Sequence, residues 1–101
     1  MHDRLELNAL LEKILGSTNV YYQPPESIKI KYPAIIYNKQ KPDVRSANNA
    51  DYLKTRSYEL IYISNTPDDS VIDNLERLPM CEWIRHYVAD NLHHDILNIF
   101  F

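Results

Sequence analysis

The C-terminal stretch from Cys81 to Phe101 constrains the fold most, because its pattern is typical of a β-hairpin. Two runs rich in β-branched and aromatic residues flank the dipeptide Asp90-Asn91. Asp and Asn tolerate the positive φ angles that a two-residue hairpin turn requires. A turn at this dipeptide pairs His86 with Asp95, and the second strand is expected to run to the last residue.

Alternation along the two predicted strands sorts their side chains onto two faces. The first face is expected to be core and carries Ile84, Val88, Leu97, Ile99 and Phe101. The second face carries Trp83, Arg85, Tyr87, His94, Ile96, Asn98 and Phe100. It is too aromatic for free exposure and too polar for a dry interior, so we expect a helix or another subunit to cover part of it.

Two amphipathic segments predict helices. Between Asp3 and Leu15, leucine and isoleucine recur at steps of three and four residues. The second helix is expected to begin at Thr66-Pro67, because a capping hydroxyl and a proline suit the first turn. It is expected to stop at Pro79, and its apolar stripe consists of Val71, Ile72, Leu75 and Leu78.

Three strands are predicted between these helices, at residues 19–22, 34–38 and 55–64. In the third, Tyr58, Leu60 and Tyr62 share one face. The polar segment 39–54 predicts a long loop, mobile or functional. The order α-β-β-β-α-β-β in 101 residues predicts a single α+β domain spanning 1–101. We expect a two-layer sandwich with two helices on a mostly antiparallel sheet of about four or five strands.

Composition disfavours several functional classes. A net charge of −3 with scattered basic residues argues against specific nucleic-acid binding, which needs clustered Lys and Arg. A single glycine disfavours Gly-rich phosphate loops. No membrane span or leader is expected, and the one cysteine, Cys81, predicts a small buried residue rather than a disulfide or a nucleophile. Eight tyrosines favour protein–protein contacts.

The sequence contains few candidates for chemistry. His93-His94-Asp95 suggests metal binding, but neighbouring side chains of a strand point to opposite faces, so at most one of these histidines can join a given site. The alternative that remains is a small metal-dependent hydrolase using His86, His93 and Asp95. Helix capping explains Asp68-Asp69 better than acid–base catalysis. We therefore expect no catalytic residue, metal or cofactor.

A set of motifs spread over the chain carries a family resemblance. They are Tyr21-Tyr22-Gln23-Pro24-Pro25, Ile30 to Tyr37, Ser64 to Asp68, Leu78 to Cys81, and Tyr87 to Asp95 followed by a terminal Phe. Together they resemble small tail terminator, or tail completion, proteins from the head-to-tail junction of long-tailed bacteriophages and prophages.

The resemblance implies a non-enzymatic subunit that assembles as a ring, typically a hexamer, at the end of the tail tube. Such a ring stops tube polymerisation and joins the head connector. Its partners would be itself, the tube protein and the connector, with DNA passing through. It would be made in the bacterial cytoplasm and reside in the virion tail. A head-closure or adaptor protein at the same junction is the nearest alternative.

Heterologous contacts of a ring need two different surface patches. The predicted contact residues are Trp83, Arg85, Tyr87, His94, Ile96 and Phe100 on the hairpin, with Arg45 and Tyr52 in the polar segment.

Overall fold

A computed structural model describes residues 4–40, 57–66 and 69–101. In these ranges the elements are α1 (Arg4–Leu15), β1 (Val20–Tyr22), β2 (Ala34–Gln40), β3 (Ser57–Ser64), α2 (Asp69–Glu76), β4 (Cys81–Ala89) and β5 (Leu92–Phe100). The predicted α+β class and element order are confirmed. Strand β2 continues to Gln40, so the polar segment predicted from residue 39 begins within a strand. Its remainder lies outside the described residues, as do Arg45 and Tyr52.

The strands form one sheet in the order β1-β2-β3-β5-β4. Strand β1 pairs with β2 in parallel, and the other three pairings are antiparallel. The predicted hairpin turn is confirmed, because His86 stands opposite Asp95 and the φ angles of Asp90 and Asn91 are 53° and 63°. Two positive φ values in succession are the geometry of a type I′ turn. Strands β1 and β4 are the edges.

Both helices pack on one face of the sheet, and the core lies between the two layers. Leucines of α1 and the stripe of α2 meet alternate residues of the central strands. The buried cluster comprises Leu7, Leu11, Ile35, Tyr37, Tyr58, Leu60, Tyr62, Val71, Ile72, Leu75, Leu97 and Ile99. The predicted apolar faces of α2 and β3 therefore contribute to a single core.

Tyrosines form part of this core rather than only its rim. The rings of Tyr22 and Tyr37 lie 4.9 Å apart, and Tyr58 packs edge-on against both. The Tyr37 hydroxyl donates to Asn8 Oδ1 at 2.8 Å and accepts from Arg4. Burial raises the pKa of the Tyr37 hydroxyl, and Arg4 partly offsets this. These tyrosines tie α1 to the sheet, so their abundance does not by itself indicate an outer contact surface.

Two predictions about β4 are wrong. Ile84 and Val88, expected in the core, are 43% and 58% exposed, because β4 is an edge strand of the sheet. Trp83 was assigned to the face opposite Leu97, yet it pairs with Leu97 while Arg85 pairs with Ile96. Ile84 is thus an extra residue, a β-bulge that changes which side of the sheet Trp83 occupies.

We predict that Leu60→Ala lowers the free energy of unfolding by about 2–5 kcal/mol, because Leu60 is fully buried and truncation leaves a cavity. Urea unfolding followed by circular dichroism measures the loss. The matched control is Leu5→Ala on α1, where the side chain is 66% exposed and the change should stay within about 0.5 kcal/mol. Equal losses in both variants would contradict this core.

Candidate functional site

An open cleft of about 610 Å³ lies beside the hairpin, between α2 and strands β4 and β5. Its lining residues from the hairpin are Trp83, His86, His93 and Asp95, and those from α2 are Ile72, Asp73 and Glu76. The four hairpin residues share a side of the sheet, because each pair of opposed residues in an antiparallel ladder projects the same way and His86 pairs with Asp95.

A chain of hydrogen bonds links the hairpin residues of this cleft. Trp83 Nε1 donates to Asp95 Oδ1 at 3.2 Å, and His86 Nδ1 lies 3.0 Å from the same oxygen. His93 Nδ1 lies 3.4 Å from His86 Nε2, with the two rings 5.4 Å apart. The His86 side chain is 41% exposed and that of Asp95 only 15%, so the carboxylate is the inner anchor of the chain.

When both histidines are neutral, the hydrogen-bond chain assigns one tautomer to each ring. A carboxylate only accepts hydrogen bonds, so His86 donates its Nδ1–H to Asp95. Its Nε2 is then unprotonated and accepts from His93 Nδ1–H. The arrangement places two linked imidazole rings, one of them anchored by a carboxylate, at the wall of the open cleft.

The structure brings together His86, His93 and Asp95, the three residues of the predicted hydrolase alternative. It also places His94 away from them, paired with Tyr87, as expected for neighbouring residues of a strand. However, Asp95 occupies the far nitrogen of His86 rather than the gap between the two histidines. Within residues 4–40, 57–66 and 69–101, no three His, Cys, Asp or Glu side chains are arranged as ligands of one ion.

Sequence reasoning did not single out the α2 side of the cleft. Asp73 and Glu76 are exposed and sit three residues apart, which places them on one helix face. A signal was present in the sequence, because these acidic residues flank the apolar stripe that directs α2 onto the sheet. Trp83 was also misplaced, since a bulge has no clear mark in the sequence.

The other side of the hairpin carries most of the predicted contact residues. Tyr87 and His94 stack with ring centroids 4.6 Å apart and an interplanar angle of 9°. Arg85 lies over Tyr87 at 5.4 Å. Ile96 is buried, and Phe100 is half-buried at the end of β5. Arg85, Tyr87 and His94 thus form a continuous stacked surface, whereas Ile96 on the same side is buried.

Comparisons with protein families, with curated proteins and with solved structures found no match to this chain. In the part of the chain that the structure describes, neither helix is long and apolar enough to cross a membrane.

Cys81 lies beside this region but has the character of an inert thiol. Its pKa is raised to about 11, chiefly because burial disfavours the thiolate and secondarily because of the Glu76 carboxylate. The thiolate is the reactive form, so a raised pKa suppresses nucleophilic attack.

We predict that Cys81 reacts with a thiol-specific disulfide reagent at pH 8 about a hundredfold more slowly in the folded protein than in urea. A pKa higher by about two units lowers the thiolate fraction by that factor. Absorbance of the released chromophore measures both rates. Similar rates in the two states would show that the thiol is accessible and not held neutral.

Proposed function

We propose that this protein is a structural subunit of a bacteriophage or prophage virion, a tail terminator that assembles as a ring at the head-to-tail junction. The observation that carries the proposal is the exposed edge strand β4. The motif set described above supports the specific family, and the two-layer architecture is compatible with it.

Strand β4 has the properties of an assembly surface. Among the described residues β4 pairs only with β5, so its outward backbone N–H and C=O groups are open to a further strand. Its exposed apolar side chains are those of Trp83, Ile84, Tyr87 and Val88. Natural edge strands usually avoid pairing through charged side chains, proline, β-bulges or short length. Strand β4 spans nine residues without lysine or proline, but it carries Glu82, Arg85 and the bulge at Ile84. Its exposed apolar side chains nevertheless favour contact with another protein chain.

A closed ring needs two different patches that meet across each subunit contact. The two edge strands of this sheet are different surfaces, because β1 has three residues and β4 has nine. They could therefore supply the two unlike patches. The stacked Arg85, Tyr87 and His94 surface adds the planar aromatic and guanidinium groups that are enriched at interfaces. In this proposal β4 and that surface contact a second copy of the chain, and the assembled ring contacts the tail tube and the head connector.

The proposed role includes no catalytic step. The net charge of −3 suits a ring that lets DNA slide through, because tight phosphate binding would hold it. A head-closure or adaptor protein would use the same kind of edge, so it is the second candidate. The phenotype of a phage without this gene separates the two.

We predict that Val88→Lys and Ile84→Lys leave the protein folded but prevent its assembly on tails. A lysine on the edge opposes strand addition, and both positions are already exposed. Complementation of the deletion phage, scored by electron microscopy of tail ends, measures assembly, and thermal unfolding reports folding. Leu5→Lys on α1 is the matched control and should assemble normally. Normal assembly of both β4 variants would exclude β4 as the contact.

We further predict that particles made without this gene show overlong, headless tail tubes beside full, tailless capsids. Without a terminator the tube continues to grow and no connector contact forms. Negative-stain electron microscopy of lysates gives the tube lengths. Tubes of normal length that fail to join heads would favour the adaptor role, and normal infectious virions would refute both.

A further inference from the structure

We propose that His86 and His93 form a binding site for one divalent transition metal ion of the zinc class, at the wall of the cleft between α2 and the β4–β5 hairpin. The inference rests on the geometry of this cleft alone and does not depend on the assembly role. It concerns metal binding and includes no chemical reaction.

The first observation is the separation of the two imidazole nitrogens. Two Zn–N bonds of about 2.0–2.1 Å at a tetrahedral angle place their nitrogens about 3.3–3.4 Å apart. His86 Nε2 and His93 Nδ1 lie 3.4 Å apart. The two ring nitrogens therefore already lie at the spacing that one tetrahedral ion requires. An ion bonded to both nitrogens would lie to one side of the line that joins them, and it would displace the hydrogen bond between them.

The second observation is the orientation of His86. Histidines that bind metals usually donate their other ring N–H to a carboxylate, which fixes the tautomer and makes the ligand nitrogen more basic. His86 has this arrangement, because its Nδ1 lies 3.0 Å from Asp95 Oδ1. Trp83 holds that oxygen from a second direction. Asp95 is thus a positioning residue behind the proposed ligand.

The third observation is the charge of the surrounding cleft. Asp73, Glu76 and Asp95 line it together with the histidines, and none of the described residues that line it is a lysine or arginine. Two histidines supply two of four tetrahedral positions. Water molecules from the open cleft would complete the shell, because no third His, Cys, Asp or Glu of the described residues lies within ligand distance of the same ion. Imidazole ligands favour zinc, copper and nickel over calcium and magnesium, which sets the chemical class of the ion.

Binding would change the tautomer of His93. In the metal-free chain His93 carries its proton on Nδ1 and donates it to His86 Nε2. When the ion occupies the gap, both nitrogens are lone-pair donors to the metal and the His93 proton moves to its Nε2. Both histidines stay neutral, so the proton count balances.

The test is calorimetric titration of the untagged full chain with zinc chloride, with emission of Trp83, the single tryptophan, recorded in parallel. We expect one ion per chain. His86→Ala and His93→Ala should each weaken binding roughly tenfold or more, and Asp95→Asn by about 10–100-fold. The matched control is His94→Ala, the neighbour on the opposite side, which should bind as the wild type does.

Circular dichroism of each variant checks folding. If a variant unfolds, an NMR spectrum of the wild-type protein with and without zinc still tests the site. Imidazole ¹⁵N shifts should move for His86 and His93 on zinc addition, with the His93 proton transferring to Nε2, while His94 stays unchanged. No binding at millimolar zinc, or shifts confined to other histidines, would overturn the site. If His86→Ala and His93→Ala both fold and bind zinc as tightly as the wild type, the proposed site is also wrong.

Discussion

The pairing register of the C-terminal hairpin is the constraint on which the rest of this structure depends. The turn at Asp90-Asn91 sets the alignment of β4 with β5, and β5 in turn pairs along its length with the central strand β3. A slip of one residue would turn every side chain of β5 to the other face. Leu97 and Ile99 would then leave the layer that α1 and α2 cover. The geometry of the turn and the burial of Leu97 and Ile99 together oppose that slip.

Much of this arrangement follows from local pattern in the sequence. The hairpin turn, both amphipathic helices and the buried face of β3 were predictable from the sequence. The spacing of apolar residues and the residue types at turns are local properties that can be read directly. Tyr58, Leu60 and Tyr62 alternate with residues of the opposite face, and all three are buried. Where one face of an element is strongly apolar, local sequence and global packing agree.

The wrong predictions concern strand β4, and they arise because its position in the sheet depends on long-range packing rather than on local sequence. Ile84 and Val88 are residue types that are common in core strands, yet β4 lies at an edge of the sheet. The order of strands in a sheet cannot be predicted from the local sequence of one strand. The bulge at Ile84 moves Trp83 across the sheet, and one inserted residue leaves no mark in composition. The cleft required long-range information too, since α2 brings Asp73 and Glu76 to the hairpin only through packing.

The two inferred properties of β4 share Trp83 but otherwise involve different groups of the strand. Its outward backbone groups and exposed apolar side chains serve pairing with another chain, whereas the histidine pair faces the cleft beside α2. The bulge connects them: by inserting Ile84 it directs the Trp83 indole to Asp95 and so helps to orient His86. An ion held between His86 and His93 would cross-link the two strands near their turn. Because such a link stiffens the edge without covering its backbone groups, metal binding would preorganise β4 for a partner rather than compete with it.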